Sequence, residues 1–479
     1  MLRPSGYGPT SASAGLSARR GGVPTPGQLA VAVAVSAAGG LTVALTGDWR
    51  VPAGLFATAG FVALGLLRPA LFLTLFLLLR PLLDEFSTEQ IGGVPSLNPA
   101  GAFGAVLIGV AVVVMAGGMK AFRPAGTPAL VAVLVVSAAA AGQAAVSEHA
   151  GMQSDALGEL VRLAALVAIY VLAANLFTRP EAARRLFVIV GLSAVVPAVV
   201  GLVQWLNGPD PLIGHELGRI SGTFAGPLPF SAYLAASALI LVALPAGVLP
   251  RWVRLWSIVL VLAALTGTYS REGWVLFLLG LVLLEWRGRK HRLAMAAAVA
   301  VVLVATVPAV AERALPSGSG SGDEAYESWQ WRVSNWAGLL ETYAERPLTG
   351  HGLQATRFVN PRAPVQNVGQ AGGGYDAHNT VVRLLVDGGI PLLTVWVAVV
   401  WLVIRRLRHI ARGPWGLSPL ARVVALIWIC LVVIGLTTDD PLEATAMMYA
   451  VLALTGAVEG SYRRWSRTGA PAAAVAAGS

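Results

Sequence analysis

The sequence has few charged residues and almost no cysteine. Of its 479 residues, 12% are charged and 56% are hydrophobic, and the mean hydropathy is +0.71. A soluble domain normally carries about 25% charged residues, so this composition excludes an ordinary soluble protein. The single cysteine, Cys430, excludes an intrachain disulfide and a cysteine metal cluster.

The sequence also lacks the motifs of several enzyme and transporter classes. It contains no Walker-type phosphate loop, no Gly-x-Ser-x-Gly nucleophile elbow and no His-Glu-x-x-His. Nucleotide-driven transport and serine hydrolysis therefore have no support. A zinc site made by His351, Asp376 and His378 is conceivable, but their spacing matches no recognised metal pattern. We predict no metal and no cofactor.

Long apolar windows recur along the whole chain. Each has about 16 to 22 residues, which is enough to cross a bilayer as a helix. Because lipid offers no partner to backbone polar groups, helices are expected rather than strands. The pattern predicts an all-α, polytopic helical membrane protein with about 12–14 transmembrane helices and one large extracytoplasmic loop. The expected parts are a disordered cytoplasmic tail (1–27), transmembrane helices 1–11 (28–311), the large loop with the catalytic motifs (312–380), transmembrane helices 12–14 (381–461) and a disordered cytoplasmic tail (462–479).

The distribution of basic residues predicts the orientation of these spans. Five short basic segments are each separated from the next by two predicted spans, with the large loop added in one case. The positive-inside rule places all five in the cytoplasm without conflict. Both termini then lie inside, and the large loop lies on the extracytoplasmic face of the cytoplasmic (inner) membrane. The basic segments are residues 179–185, 251–254, 287–292, 405–412 and 463–464.

Three arginines on the predicted outer face depart from that rule. Arg219 precedes the eighth span, Arg271 lies at the turn between spans nine and ten, and Arg332 lies in the large loop. An arginine near hydrocarbon is costly and therefore suggests a function. Guanidinium groups bind two phosphate oxygens at once, so together the three arginines predict a site for a lipid pyrophosphate. The alternative is that each pairs with an outer carboxylate, such as Glu272 or Glu216, and only fixes the bundle.

A histidine follows at the end of the same loop. His378 precedes Asn379 at the entrance to the twelfth predicted span, and Asp376 is near enough in sequence to orient it. A histidine with an ordinary pKa of about 6.5 can accept a proton near neutrality. The alternative is an interfacial histidine that caps the helix. His351 lies between two glycines and is predicted to belong to a tight turn instead.

The order of these residues resembles the O-antigen ligase and polymerase superfamily. The resemblance covers roughly residues 200 to 400, and the earlier spans match only in being hydrophobic. It implies a metal-independent glycosyltransferase whose donor is a glycan linked to polyprenyl pyrophosphate. The segments that carry it are Arg219-x-Ser-Gly222-Thr223-Phe224 with Pro227, Thr268-Tyr-Ser270-Arg271, Arg332-x-x-x-Trp336, Pro347-x-x-Gly350-x-Gly352, His378-Asn379 and Asp387-Gly388-Gly389-Ile390-Pro391.

The resemblance also implies roles for individual residues. Arg219, Arg271 and Arg332 would bind and neutralise the leaving diphosphate, and Arg332 would count with the catalytic groups. His378 would act as the general base on an acceptor hydroxyl of a glycan, lipid or protein. The supporting residues would be Asn379, Asp376, Trp336 and Ser270.

The leading prediction is therefore a polymerase or ligase of a lipid-linked surface glycan, such as an O-antigen or an exopolysaccharide. These motifs do not separate a polymerase, a ligase and a protein oligosaccharyltransferase. The alternative from another class is a polytopic transporter or flippase of a lipid-linked or anionic substrate, and a scaffold for envelope assembly is a third. The net charge of +10 lies in short loops, so no nucleic-acid partner is expected, whereas membrane lipids and a chain-length regulator are conceivable partners.

Overall fold

The computed structural model describes most of the chain between residues 50 and 468. The described ranges are 50–85, 99–117, 123–149, 151–208, 219–285, 321–360, 377–413, 415–438 and 445–468. Within them the chain is helical and contains no strand, so the predicted all-α, polytopic membrane fold is confirmed. Asp376, Glu216, the tail at 1–27 and the span expected at 293–311 lie outside the described residues.

The chain divides into two compact units. The unit Met1–Arg68 contains α1 (Arg50–Leu67), and the unit Pro69–Ser479 contains every other helix. These are α2 (Pro69–Leu79), a 3-10 turn (Arg80–Leu82), α3 (Pro99–Ala116), α4 (Thr127–Ala145), α5 (Met152–Leu176), α6 (Pro180–Ser193), α7 (Val195–Asn207), α8 (Pro227–Ala243), α9 (Arg251–Gly267), α10 (Arg271–Glu285), α11 (Ser321–Glu345), α12 (Thr356–Val359), α13 (Thr380–Arg412), α14 (Ser418–Ile434) and α15 (Thr445–Thr468).

Four of the described segments are long and apolar enough to cross a membrane. They are α4, α5, the α6–α7 pair and α13. The shorter apolar helices include α8 and α14. Several helices, among them α4, α6, α8 and α14, begin with proline in the first two positions, where its fixed φ suits a helix and its missing N–H is not needed. The number of spans stays a prediction.

Helices α5 and α15 pack closely against each other. A methyl group at Gly456 or Gly460 of α15 would overlap backbone atoms of Tyr170 and Ala174, respectively, on α5. Small residues four apart allow two membrane helices to approach in this way. The pair also shares a buried polar contact, since the Tyr170 hydroxyl donates to Glu459 Oε1 at 2.7 Å.

Three segments differ from the sequence-based expectation. The large loop contains the 25-residue helix α11, the basic segment 405–412 is the last part of α13, and residues 462–468 of the expected tail belong to α15. The reason is common to all three. Apolar windows identify spans, whereas these segments are polar, and arginine is itself a good helix former.

A turn of the large loop packs against a kink in α13. The His351 N–H donates to Val386 O at 2.8 Å, and the Gly352 N–H donates to Asp387 O at 3.1 Å. The His351 ring nitrogen Nε2 lies 2.7 Å from Thr342 O. His351 therefore belongs to a tight turn, as predicted, and its ring bonds the turn to the end of α11.

The side chain of Asp387 completes this contact. Its carboxylate accepts from the Thr356 N–H at 3.0 Å, the Thr356 hydroxyl at 2.7 Å and the Gln354 N–H at 3.1 Å, and it faces Arg383 at 3.7 Å. All of these residues but Arg383 lie in the loop or at the kink, and all are buried. The loop is therefore fastened to α13 by a buried, fully bonded carboxylate.

We predict that Gly389→Ala destabilises the protein by about 2–3 kcal/mol. Gly389 has φ +67° and ψ −165° inside α13, and a methyl group there would lie 2.7 Å from Pro347 O. Gly142→Ala in α4 is the matched control, because its methyl group meets open space. The measurement is thermal unfolding of the purified full-length protein in detergent. Equal melting temperatures for the two variants would contradict this account of the kink.

Candidate functional site

The turn between α9 and α10 carries Ser270 and Arg271. Ser270 is buried, and its hydroxyl accepts from Ser231 at 2.9 Å and donates to Glu272 Oε2 at 3.3 Å. Tyr269 has φ +48°, which is uncommon for a residue other than glycine. Ser270 thus fixes the turn on its buried side, while Arg271 begins α10 with an exposed side chain.

The segment that follows residue 218 lies against this turn. Arg219 donates through Nε to Thr268 O at 3.0 Å. The next residues are held by Gln204, whose side chain donates to Gly222 O at 2.9 Å and accepts from the Gly222 N–H at 2.8 Å. Arg219 therefore lies beside the turn that carries Arg271.

Arg332 of α11 reaches two other parts of the molecule. Its Nη1 lies 3.9 Å from Glu272 Oε1 and donates to Thr437 O at 3.0 Å. The pairing with Glu272 that the sequence offered as the alternative is therefore present for Arg332. Both side chains keep about a fifth of their surface exposed, at 21% each, so the ion pair contributes at most about 1 kcal/mol.

The segment around His378 is fixed on both sides. Trp336 donates through its indole N–H to Ala377 O at 2.7 Å. Asn379 caps α13, because its Oδ1 accepts from the Val381 N–H at 2.9 Å and the Val382 N–H at 3.2 Å. The capping role considered for His378 thus belongs to Asn379. His378 itself is half-buried and has φ +47°, a strained conformation for a non-glycine residue.

The four residues after α14, here named the 435–438 loop, accept hydrogen bonds from the start of α13 and from Arg332 of α11. Thr380 donates from its backbone to Gly435 O at 2.8 Å and from its hydroxyl to Thr438 O at 3.1 Å. Asn379 donates to Leu436 O at 2.9 Å, and Arg332 donates to Thr437 O. The loop therefore connects α11 with the start of α13.

The structure brings the sequence-predicted residues together in two connected groups. Arg219 and Arg332 both contact residues 268–272, which include Arg271, and Arg332 also contacts the 435–438 loop that holds the residues after His378. His351 does not take part in these contacts.

The sequence missed the 435–438 loop, which acts through backbone carbonyls and leaves no residue-type signal. It also missed Gln204, for which a polar residue in the apolar α7 was the available signal.

Within the described residues, no group of three His, Cys, Asp or Glu side chains has the arrangement of a metal site. Two of the three residues of the conceived zinc site, His351 and His378, are described, and Asp376 is not. The His351 ring bonds to Thr342 O, which is a structural use of that side chain. Metal independence itself stays a prediction.

Comparison with known proteins identifies one family. Residues 256–397, from α9 to the middle of α13, match the family model described as O-Antigen ligase, and no curated protein matches the chain. The matched stretch contains Arg271, Arg332 and His378, whereas Arg219 precedes it. The match supports a role in membrane glycan ligation or polymerisation by a glycosyltransferase-like enzyme. Residues 256–397 are therefore similar to an O-antigen ligase domain, and this match supports membership of the O-antigen ligase superfamily.

Proposed function

We propose that the protein transfers or polymerises a glycan from a polyprenyl-pyrophosphate donor at the extracytoplasmic face of the membrane. The observation that carries this proposal is the position of Arg332. Its guanidinium contacts Glu272 at the turn bearing Arg271 and the 435–438 loop that fixes the segment around His378. A cationic site and a candidate base are thus parts of one contact network.

The arginines would act on the diphosphate of the donor. Arg219, Arg271 and Arg332 supply three permanent positive charges whose forked donors suit phosphate oxygens. α10 has 15 residues and begins at Arg271, so the positive end of its dipole adds to this field. Diphosphate leaves readily once its charge is stabilised, and for that reason we propose that the reaction needs no metal.

His378 would act on the acceptor. Its imidazole accepts the proton of the acceptor hydroxyl while the hydroxyl oxygen attacks the anomeric carbon of the donor sugar. The bond between that carbon and the diphosphate oxygen breaks, and polyprenyl diphosphate leaves with both bonding electrons. The left-handed backbone at His378 is held on both sides by the hydrogen bonds of Ala377 and Asn379. The acceptor is a hydroxyl of a glycan, lipid or protein.

The proposed orientation follows from the distribution of basic residues. The site lies at the end of the bundle where α13 begins, and the basic segment 405–412 lies at the other end of the same helix. We propose that the basic end faces the cytoplasm, with both termini, and that the large loop containing α11 lies outside. The protein then resides in the cytoplasmic membrane.

The transporter alternative would be favoured by unsatisfied charges inside the bundle. The buried charges of α13, Arg383 and Asp387, instead face each other, and Asp387 accepts three hydrogen bonds from the loop. They therefore fasten the loop. This pair therefore gives no support to transport over transfer.

We predict that His378→Ala lowers the rate of glycan transfer about 100- to 10,000-fold, because the acceptor hydroxyl loses its base. The measurement is the size distribution of surface glycan and lipid-linked glycan in a deletion strain that expresses the variant. Short repeat units without long chains indicate a polymerase, and long chains left on the lipid carrier indicate a ligase.

His149→Ala is the matched control, because His149 is an exposed histidine in the α4–α5 connection whose ring lies beside Ser147 and Phe358. It should restore the full glycan pattern. A normal pattern from a well-expressed His378→Ala variant would remove His378 from the role of base.

A second prediction separates catalysis by Arg332 from a purely structural ion pair. Arg332→Gln should lower the initial transfer rate at least about 100-fold, the usual loss when one group that stabilises transition-state charge is removed. Glu272→Gln breaks the same ion pair but leaves the cation, so its rate should stay within about fivefold of wild type. Both rates are measured with purified protein and a synthetic lipid-linked donor. Equal losses in the two variants, with equal thermal stability, would show that the pairing alone matters.

A further inference from the structure

A groove runs along the outside of α13 and α14. Its volume is about 550 Å³, and its walls are mainly apolar. One wall is a stripe of α13 residues spaced three or four apart, which includes Trp396 and Trp401, and the other is the end of α14 from Leu431 to Leu436. Trp401 and Leu436 are strongly exposed, at 55% and 49%. Large exposed apolar surfaces of this kind are covered by lipid or by a partner.

The groove follows α13 from its start to its last part. It begins at Thr380, beside the candidate site, and reaches Arg405, Arg408 and Arg412 at the far end of α13. Because α13 is long and apolar enough to cross a membrane, the two ends of the groove lie near opposite membrane surfaces. The arginine end therefore lies at the surface opposite the candidate site.

The far end of the groove is positively charged. Arg405, Arg408 and Arg412 are all exposed and line it, and the Arg405 guanidinium lies 5.0 Å from the centre of the Trp401 ring. Among the described residues that line the groove, none is acidic. Arg406 lies over Tyr462 instead, at 5.3 Å, on a different side of the helix.

We propose that this groove binds a phospholipid with an anionic headgroup. The three groove arginines bind the headgroup phosphate, and an acyl chain lies along the apolar wall between Trp396 and Leu436. The positive-inside rule explains arginines at this end of α13, but it does not explain why three of them share the groove face with two tryptophans. Charge complementarity selects the headgroup, and the apolar wall selects the acyl chain. This proposal does not depend on the proposed glycan transfer.

The test is lipid binding to the purified full-length protein, measured by native mass spectrometry. The protein is mixed with phosphatidylglycerol or with phosphatidylcholine of the same acyl chains. Wild type should retain phosphatidylglycerol preferentially. The triple variant R405Q/R408Q/R412Q should bind it on the order of 100-fold more weakly, from roughly a fivefold loss for each arginine.

The matched control is R422Q/R464Q/R467Q, which removes three exposed arginines from the same end of the molecule but outside the groove. It should bind phosphatidylglycerol as wild type does. A second variant, Val397→Trp, narrows the groove and keeps all three groove arginines. It should also weaken phosphatidylglycerol binding, which separates a lipid in the groove from a phosphate held only at the surface.

Four results would overturn the proposal. Equal binding by the groove triple variant and its control would show that total charge alone attracts lipid. Full binding by Val397→Trp would place the lipid elsewhere. A retained polyprenyl phosphate would assign the groove to the tail of the glycan donor. Retention of no lipid by wild type would mean that the groove does not bind a phospholipid.

Discussion

The arrangement of the candidate site depends on the four backbone carbonyls of the 435–438 loop, each of which needs a hydrogen-bond donor. Each carbonyl of the 435–438 loop accepts one bond, and the donors come from Thr380, Asn379 and Arg332. Gly435 and Thr438 are buried, and a buried carbonyl without a partner costs about 1–3 kcal/mol, so this loop selects its partners. One set of bonds consequently fixes both the start of α13 and the position of α11.

Strained backbone is concentrated where the chemistry is proposed. Three described residues other than glycine have positive φ: Tyr269 precedes Ser270 and Arg271, His378 is the candidate base, and Gln354 lies in the turn that bonds to Asp387. Such strain persists only where surrounding contacts over-determine the structure. The contact between the Gly350–Gly352 turn and the kink at Gly389, closed by Asp387, provides such restraint from the other side of the loop. The family motifs that carry no reactive group therefore have a physical role, which is to hold the loop on the bundle.

The sequence predicted the fold class, because membrane spans are encoded in residue type alone. It also named Arg219, Arg271, Arg332 and His378 as site residues; Arg219 and Arg332 contact residues 268 and 272 on either side of Arg271, and Asn379 beside His378 bonds to the same loop as Arg332. Their roles in the site stay predictions. The helix α11 was missed because it is polar and has no apolar window. The 435–438 loop was missed because it works through carbonyl oxygens, which every residue possesses. Capping was considered for His378 but belongs to Asn379, because both residue types can cap a helix and only geometry separates them.

The central claim is that bond formation, rather than movement of a lipid across the membrane, occurs at this site. The most direct measurement uses proteoliposomes that contain the purified protein, a synthetic polyprenyl-pyrophosphate glycan, an acceptor and a metal chelator. The account predicts a new glycosidic product and an equal amount of released polyprenyl diphosphate, on one face of the bilayer only. Donor that crosses the bilayer unchanged, with no diphosphate released, would contradict it and favour a transporter.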